Sequence, residues 1–113
     1  MDTVAYKVLT AAEMGALQAG RFAGAPVDIA DGYIHLSTAA QLAETVARHF
    51  EGQEGLVLVA VDLDRLGAAV RWEPSRGGQL FPHIYARLTM EAVLAAGPLE
   101  READGAIRLP AAR

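Results

Sequence analysis

Three short stretches put groups able to handle protons or anions where a packed domain would otherwise place apolar side chains. The first is Gly32-Tyr33-Ile34-His35-Leu36-Ser37-Thr38. Side chains alternate along an extended strand, so Tyr33, His35 and Ser37 share one face and Ile34, Leu36 and Thr38 the other. Ile34 and Leu36 mark the core face. His35 and Ser37 then line the opposite face, beside the start of a helix whose free amides favour an anion or a polar ligand group. Imidazole titrates near neutrality, at about pH 6.5 when unperturbed, which suits His35 to general acid or base work. The plainer alternative is a histidine that only bonds backbone.

The second stretch is Trp72-Glu73-Pro74-Ser75-Arg76-Gly77-Gly78, an aromatic and a carboxylate at a strand end followed by a loop with one guanidinium and two glycines. Loops held by strand ends are where ligands are commonly met, and the paired glycines allow a close backbone approach or a flap. Against this stands an ordinary surface turn with Trp72 anchored in the core. The third is Phe81-Pro82-His83-Ile84-Tyr85, where His83 and Tyr85 share a face and Ile84 takes the other; the plainer alternative is a histidine on a solvated sheet face. The remaining histidine, His49, falls in the last turn of a helix, where a cation suits the helix dipole, and it reads as structural. The catalytic candidates are therefore His35, Glu73 and His83, with Ser37, Thr38, Trp72, Arg76 and Tyr85 as ligand-holding candidates. His35, Glu73 and His83 also have the composition of a two-histidine, one-carboxylate metal set. They come from three separate segments without the close spacing of a metal motif, and no metal is expected.

Composition narrows the field. The chain has 113 residues, enough for one core without staples, and no cysteine, which excludes disulfides, thiolate metal sites and cysteine nucleophiles. The net charge is −4, with Lys and Arg scattered singly, so a nucleic-acid polymer is not an expected partner. No signal-peptide pattern precedes the first strand, and the longest strongly apolar run, Leu56 to Val61, is too short to span a bilayer, so a cytoplasmic, membrane-free domain is expected. Paired carboxylates of glycosidase type, Gly-x-Ser-x-Gly, Walker A and dinucleotide glycine fingerprints are all missing from the sequence.

The elements that must position these residues follow from periodicity. Ala5 to Leu9 reads as a strand, and Thr10-Ala11-Ala12-Glu13 as a capping box opening a helix that runs to about Ala19. Gly32 to Leu36 reads as a second strand. Thr38-Ala39-Ala40-Gln41 opens a second helix, in which Leu42, Val46 and Phe50 form an apolar stripe. Leu56 to Val61 is a continuous apolar run, expected as a central strand buried on both faces. A helical turn over Asp62 to Leu66, short strands at Val70 to Glu73 and His83 to Leu88, a turn over Thr89 to Val93, and a terminal hairpin of Leu94 to Glu100 with Ala106 to Leu109 complete the reading. The pattern predicts a single α+β domain over residues 1–113: a small twisted sheet, mixed or antiparallel, with two helices packed on it.

Gly-Tyr-Ile-His-Leu-Ser-Thr at 32–38, Leu-Val-Leu-Val-Ala-Val-Asp at 56–62, Arg-Trp-Glu at 71–73 and Phe-Pro-His-Ile-Tyr at 81–85 resemble, in order and spacing, an uncharacterised bacterial and plant family known as domain of unknown function 952. The resemblance covers almost the whole chain. That family is in turn similar in fold to the ADP-ribosyltransferases, which bind NAD in a cleft of a split sheet. The resemblance implies an ADP-ribosylation-like fold, with Tyr6 to Thr10 as the first NAD-binding strand and Gly32 to Ser37 as the second motif strand. His83 to Tyr85 would be the strand that carries the catalytic glutamate in those enzymes. Two positions depart from the pattern. The first strand offers Lys7 where those enzymes have His or Arg, and His83 stands where the glutamate is sought. A histidine supplies no fixed negative charge for an oxocarbenium-like transition state. The implied function is a cleft lined by His35, Trp72, Glu73 and His83 that binds or processes NAD, as substrate, or a related nucleotide. The alternative is a non-catalytic module that takes a small metabolite or a protein in the same cleft. A small-molecule ligand and a monomer or weak dimer are expected.

Overall fold

The computed structural model describes residues 2–110. Among these the chain is a small α+β fold of two antiparallel sheets and a few helices. The first sheet has the order β1-β3-β6, from Val4–Leu9, Val57–Asp62 and Val93–Pro98. The second has the order β2-β5-β4, from Ile34–His35, Leu80–Ile84 and Val70–Pro74. Each of the strand pairings in these sheets is antiparallel, which settles the choice between a mixed and an antiparallel sheet. The sheets touch at one backbone bridge, where Tyr6 N donates to Ser37 O at 2.7 Å and Ser37 N to Tyr6 O at 2.9 Å.

The apolar run that forms β3 is the centre of its sheet and is buried on both faces, as its composition predicts. The period of two sorts its neighbours. Ala5 and Leu9 of β1, with Val59 and Val61 of β3, face a larger core shared with Ile34 and Ile84 of the second sheet and with Leu36 just past β2. Val8 and Leu58 face a smaller core closed by Leu42 and Val46 of α3 (Ala39–His49). Both capping boxes form. Thr10 accepts from Glu13 N and opens α1 (Ala11–Gln18), which buries Met14 and Leu17; Thr38 accepts from Gln41 N and opens α3.

Three departures from the sequence reading shape the fold. A helix not expected from the pattern, α2 (Pro26–Asp31), precedes β2 and ends at Gly32 in the left-handed region, φ 88°. The strand expected at His83 to Leu88 lies at Leu80–Ile84, because Pro82 keeps its carbonyl as an acceptor, from Leu36 N at 3.0 Å, and continues the ladder. The terminal hairpin is reduced to one bridge, Arg101 to Ile107, since β6 spends its hydrogen bonds on β3. The turn expected over Asp62 to Leu66 is the short helix α4 (Leu63–Leu66), and the one expected over Thr89 to Val93 is a 3-10 turn at Met90–Ala92.

Candidate functional site

Register in the second sheet decides which polar groups meet. His35 lies opposite His83, and His83 opposite Arg71, while Glu73 sits one step along the same face, opposite Phe81. Alternation turns Ile34, Ile84, Val70 and Trp72 to the larger core, and His35, His83, Arg71 and Glu73 away from it. The two imidazole centroids are 5.2 Å apart. Tyr33 packs against both, at 4.7 Å from His35 and 4.3 Å from His83, and Tyr85 lies 5.2 Å from Tyr33.

Each imidazole is oriented by a carboxylate on its Nδ1. Glu73 Oε1 stands 2.8 Å from His83 Nδ1 and also accepts from the Tyr85 hydroxyl at 2.7 Å. Those two bonds hold the Glu73 carboxyl below its ordinary range, and the same contact pushes the Tyr85 phenol up. A carboxylate on Nδ1 fixes the neutral ring as the Nδ1–H tautomer and leaves its lone pair on Nε2. His83 is 2% exposed, and its Nε2 is buried with no hydrogen-bond partner among the described residues. Buried polar atoms are seldom left so.

His35 is held by a residue the sequence reading did not single out. Asp28, at 2% exposure, has Oδ1 2.7 Å from His35 Nδ1 and accepts there from the His35 amide at 3.1 Å; Oδ2 accepts from Ala25 N at 2.8 Å. The Lys7 ammonium stands 3.0 Å from Asp28 Oδ2 and donates to the His35 carbonyl at 2.9 Å. Burial pushes the Asp28 carboxyl up, but the His35 bond and the Lys7 charge outweigh it and hold it at about 2, below the ordinary 3.8. Gly24 lets the chain come this close: its φ is +129°, and a Cβ there would sit 2.9 Å from the Asp28 Cβ. His35 Nε2 is also engaged, 3.0 Å from Asp31 Oδ2.

His35 and His83 both line a cavity of about 670 Å³ bounded by α2, α3, β1 and the loop after β4. Ser37 and Arg76 line it as well, joined through Thr45, whose hydroxyl is 2.8 Å from Ser37 Oγ and accepts from Arg76 at 3.3 Å. Arg76 lies over the Phe81 ring at 5.0 Å and within 3.4 Å of Glu44. Tyr6, Leu42 and Phe50 supply an apolar wall.

The remaining candidates sit elsewhere. Trp72 packs against the larger core with Val70 and is not part of the cavity wall. Glu73 and Tyr85 reach the site through His83, Tyr85 lying half-exposed under the Arg71 guanidinium at 4.5 Å. Thr38 spends its hydroxyl on the α3 cap. His49, read as structural, belongs to the cavity wall at the end of α3. Lys7 and Asp28 left one signal each: Lys7 alternates with Ala5 and Leu9 on an apolar face, and Asp28 stands at the third position of a helix that Pro26 opens. Among the described residues no group of three or more His, Cys, Asp or Glu is placed to hold a metal ion, and no helix is long and apolar enough to cross a membrane.

The chain that folds into this two-sheet α+β domain belongs to the family described as protein of unknown function (DUF952), whose model matches residues 8–96. It is similar to the X-ray structure of protein CC0527 from Caulobacter crescentus, at 48% identity and a TM-score of 0.85 over 95% of each chain. The X-ray structure of a double mutant of that protein gives 46% and 0.84 over 95% of each chain. Its solution NMR structure gives 48% and 0.78 over 94% of this chain and 91% of that one. No curated protein matches the chain.

Proposed function

We propose that the cavity binds NAD or a related nucleotide, and that His83 is the group that moves a proton there. The observation that carries this reading is the buried Nε2 of His83, left without a partner on a ring that lines the cavity while Glu73 fixes its Nδ1. A base held in one tautomer by a carboxylate is the arrangement general acid–base chemistry uses. Arg76, with the Ser37 and Thr45 hydroxyls, takes a phosphate group, because guanidinium and hydroxyl donors match phosphate oxygens. Tyr6, Leu42 and Phe50 take the base. The resemblance to ADP-ribosyltransferases supports NAD as the nucleotide and an ADP-ribosylation-like fold as its frame. His83 in place of their glutamate, with Glu73 bonded to it, favours proton transfer over fixed-charge stabilisation.

The alternative, a non-catalytic binding module in the same cavity, is favoured by His35, both of whose ring nitrogens already face carboxylates. Titrating the protein with NAD, ADP-ribose and ADP while recording 1H–15N spectra tests the shared part. Shifts at His35, His83 and Arg76 are expected, and silence at millimolar ligand overturns the nucleotide reading. With a ligand in hand, His83→Gln separates the two: loss of turnover supports the enzyme, and a change in affinity alone supports the module.

A further inference from the structure

His35 is bonded on both sides, and the two bonds differ in kind. The imidazole faces acceptor oxygens from both nitrogens, Asp28 at 2.7 Å and Asp31 at 3.0 Å, and it satisfies both when each nitrogen carries a proton, as an imidazolium. The Asp28 bond is buried and tied to Lys7, so it belongs to the frame. The Asp31 side chain is 44% exposed, stands at the last residue of α2 and lines the cavity. A carboxylate at a helix C-terminus opposes the helix dipole, and an exposed ion pair contributes little to stability. Folding therefore gains little from placing Asp31 there.

We propose that Asp31 is a displaceable stand-in for a ligand oxyanion: His35 Nε2 is the docking point for a phosphoryl oxygen, and Asp31 holds that point until such a group arrives. The proposal rests on reading this cavity as a ligand site, but not on the ligand being a nucleotide. A ring fixed from behind by a buried carboxylate presents its Nε2 forward, and an N–H there is a donor that a phosphate oxygen accepts from. The neighbouring His83, with its ring 5.2 Å away and a lone pair on its unpartnered Nε2, accepts from a P–OH of the same group, a contact that the Asp31 carboxylate, with no proton to donate, does not make. A hydrogen phosphate, accepting through one oxygen and donating through another, can meet both rings and is the better occupant.

The consequence is a built-in competition: any anion entering must first release the Asp31 carboxylate, so removing that carboxylate raises anion affinity. Calorimetric titration with inorganic phosphate, read in parallel through the His35 ring 15N shifts, compares the native chain with Asp31→Ala, Asp31→Asn and Glu13→Gln. Glu13 also lines the cavity but bonds the Thr10 amide, so it controls for the loss of a negative charge. Both Asp31 variants are expected to bind phosphate about tenfold more tightly, with the His35 shifts following saturation, while Glu13→Gln changes affinity less than about twofold. Adding His35→Asn to Asp31→Ala removes the gain. Unchanged or weaker binding in the Asp31 variants, an equal gain in Glu13→Gln, or no phosphate binding by any of these proteins overturns the proposal. A phosphate gain together with silence toward NAD would retire the nucleotide reading and keep this one; NAD binding with no phosphate gain would do the reverse.

Discussion

Replacing Asp28 with asparagine changes one atom and puts the whole back of the site at risk. The carboxylate accepts from Lys7, from the His35 ring and amide, and from Ala25 N, using both oxygens. An amide accepts at one end. Whichever way it is turned, its NH2 group faces donors, and the Lys7 ammonium, 6% exposed, is left without its counter-charge. Breaking a buried pair from one side costs about 3–5 kcal/mol, a large share of the roughly 5–15 kcal/mol that holds a domain folded. Urea unfolding followed by circular dichroism measures it.

Two further measurements separate this account from a generic loss of packing. Lys7→Met alone should be costly too, and the double variant Lys7→Met/Asp28→Asn should cost at least about 1 kcal/mol less than the two singles together, since it strands no charge. The pH dependence has a defined sign. Asp28 is depressed from 3.8 to about 2, so its contribution is present above pH 3.8 and is lost as pH falls through about 2. That displacement corresponds to about 2 kcal/mol, by which the gap between native and Asp28→Asn proteins should narrow across that window. A loss below about 1 kcal/mol near neutrality, or a gap that ignores acid, would refute the reasoning.

Tyr85→Phe removes a 2.7 Å bond to Glu73, so the Glu73 carboxyl should titrate closer to its ordinary 4.5 when followed by side-chain 13C shifts; a value unchanged or lower would contradict the assigned cause. Gly24→Ala places a methyl 2.9 Å from the Asp28 Cβ at a φ of +129° and should cost about 1–3 kcal/mol in thermal unfolding, with the His35 ring shifts displaced; a native melting temperature would show that the turn relaxes freely.

What the sequence disclosed depended on range. Period-two alternation separated His35 and Ser37 from Ile34 and Leu36, and the two capping boxes marked both longer helices, because each is set by residues within a few positions of one another. The same alternation, carried to Lys7, put an ammonium on an apolar face, yet its partner lies 21 residues away on a six-residue helix too short to show a stripe. Antiparallel register across β2 and β5 then brought the two histidines together, a fact no single segment holds. Trp72 drew attention as an aromatic at a strand end, whereas its face, shared with Val70, is the core face. Aromatic type was the weaker guide, and parity along the strand the better one.

The contact between Tyr6 and Ser37 carries a consequence for the outer edge of the first sheet. β1 is an outer strand of its sheet, and unpaired backbone on such a strand invites another chain to add on. Here the blocking segment is the stretch right after β2, which also bears Ser37 in the cavity wall. Covering part of that edge and lining the pocket are thus tasks of one piece of backbone. A change that loosened this segment would alter the pocket wall and, with it, leave the Tyr6 amide and carbonyl without their backbone partners.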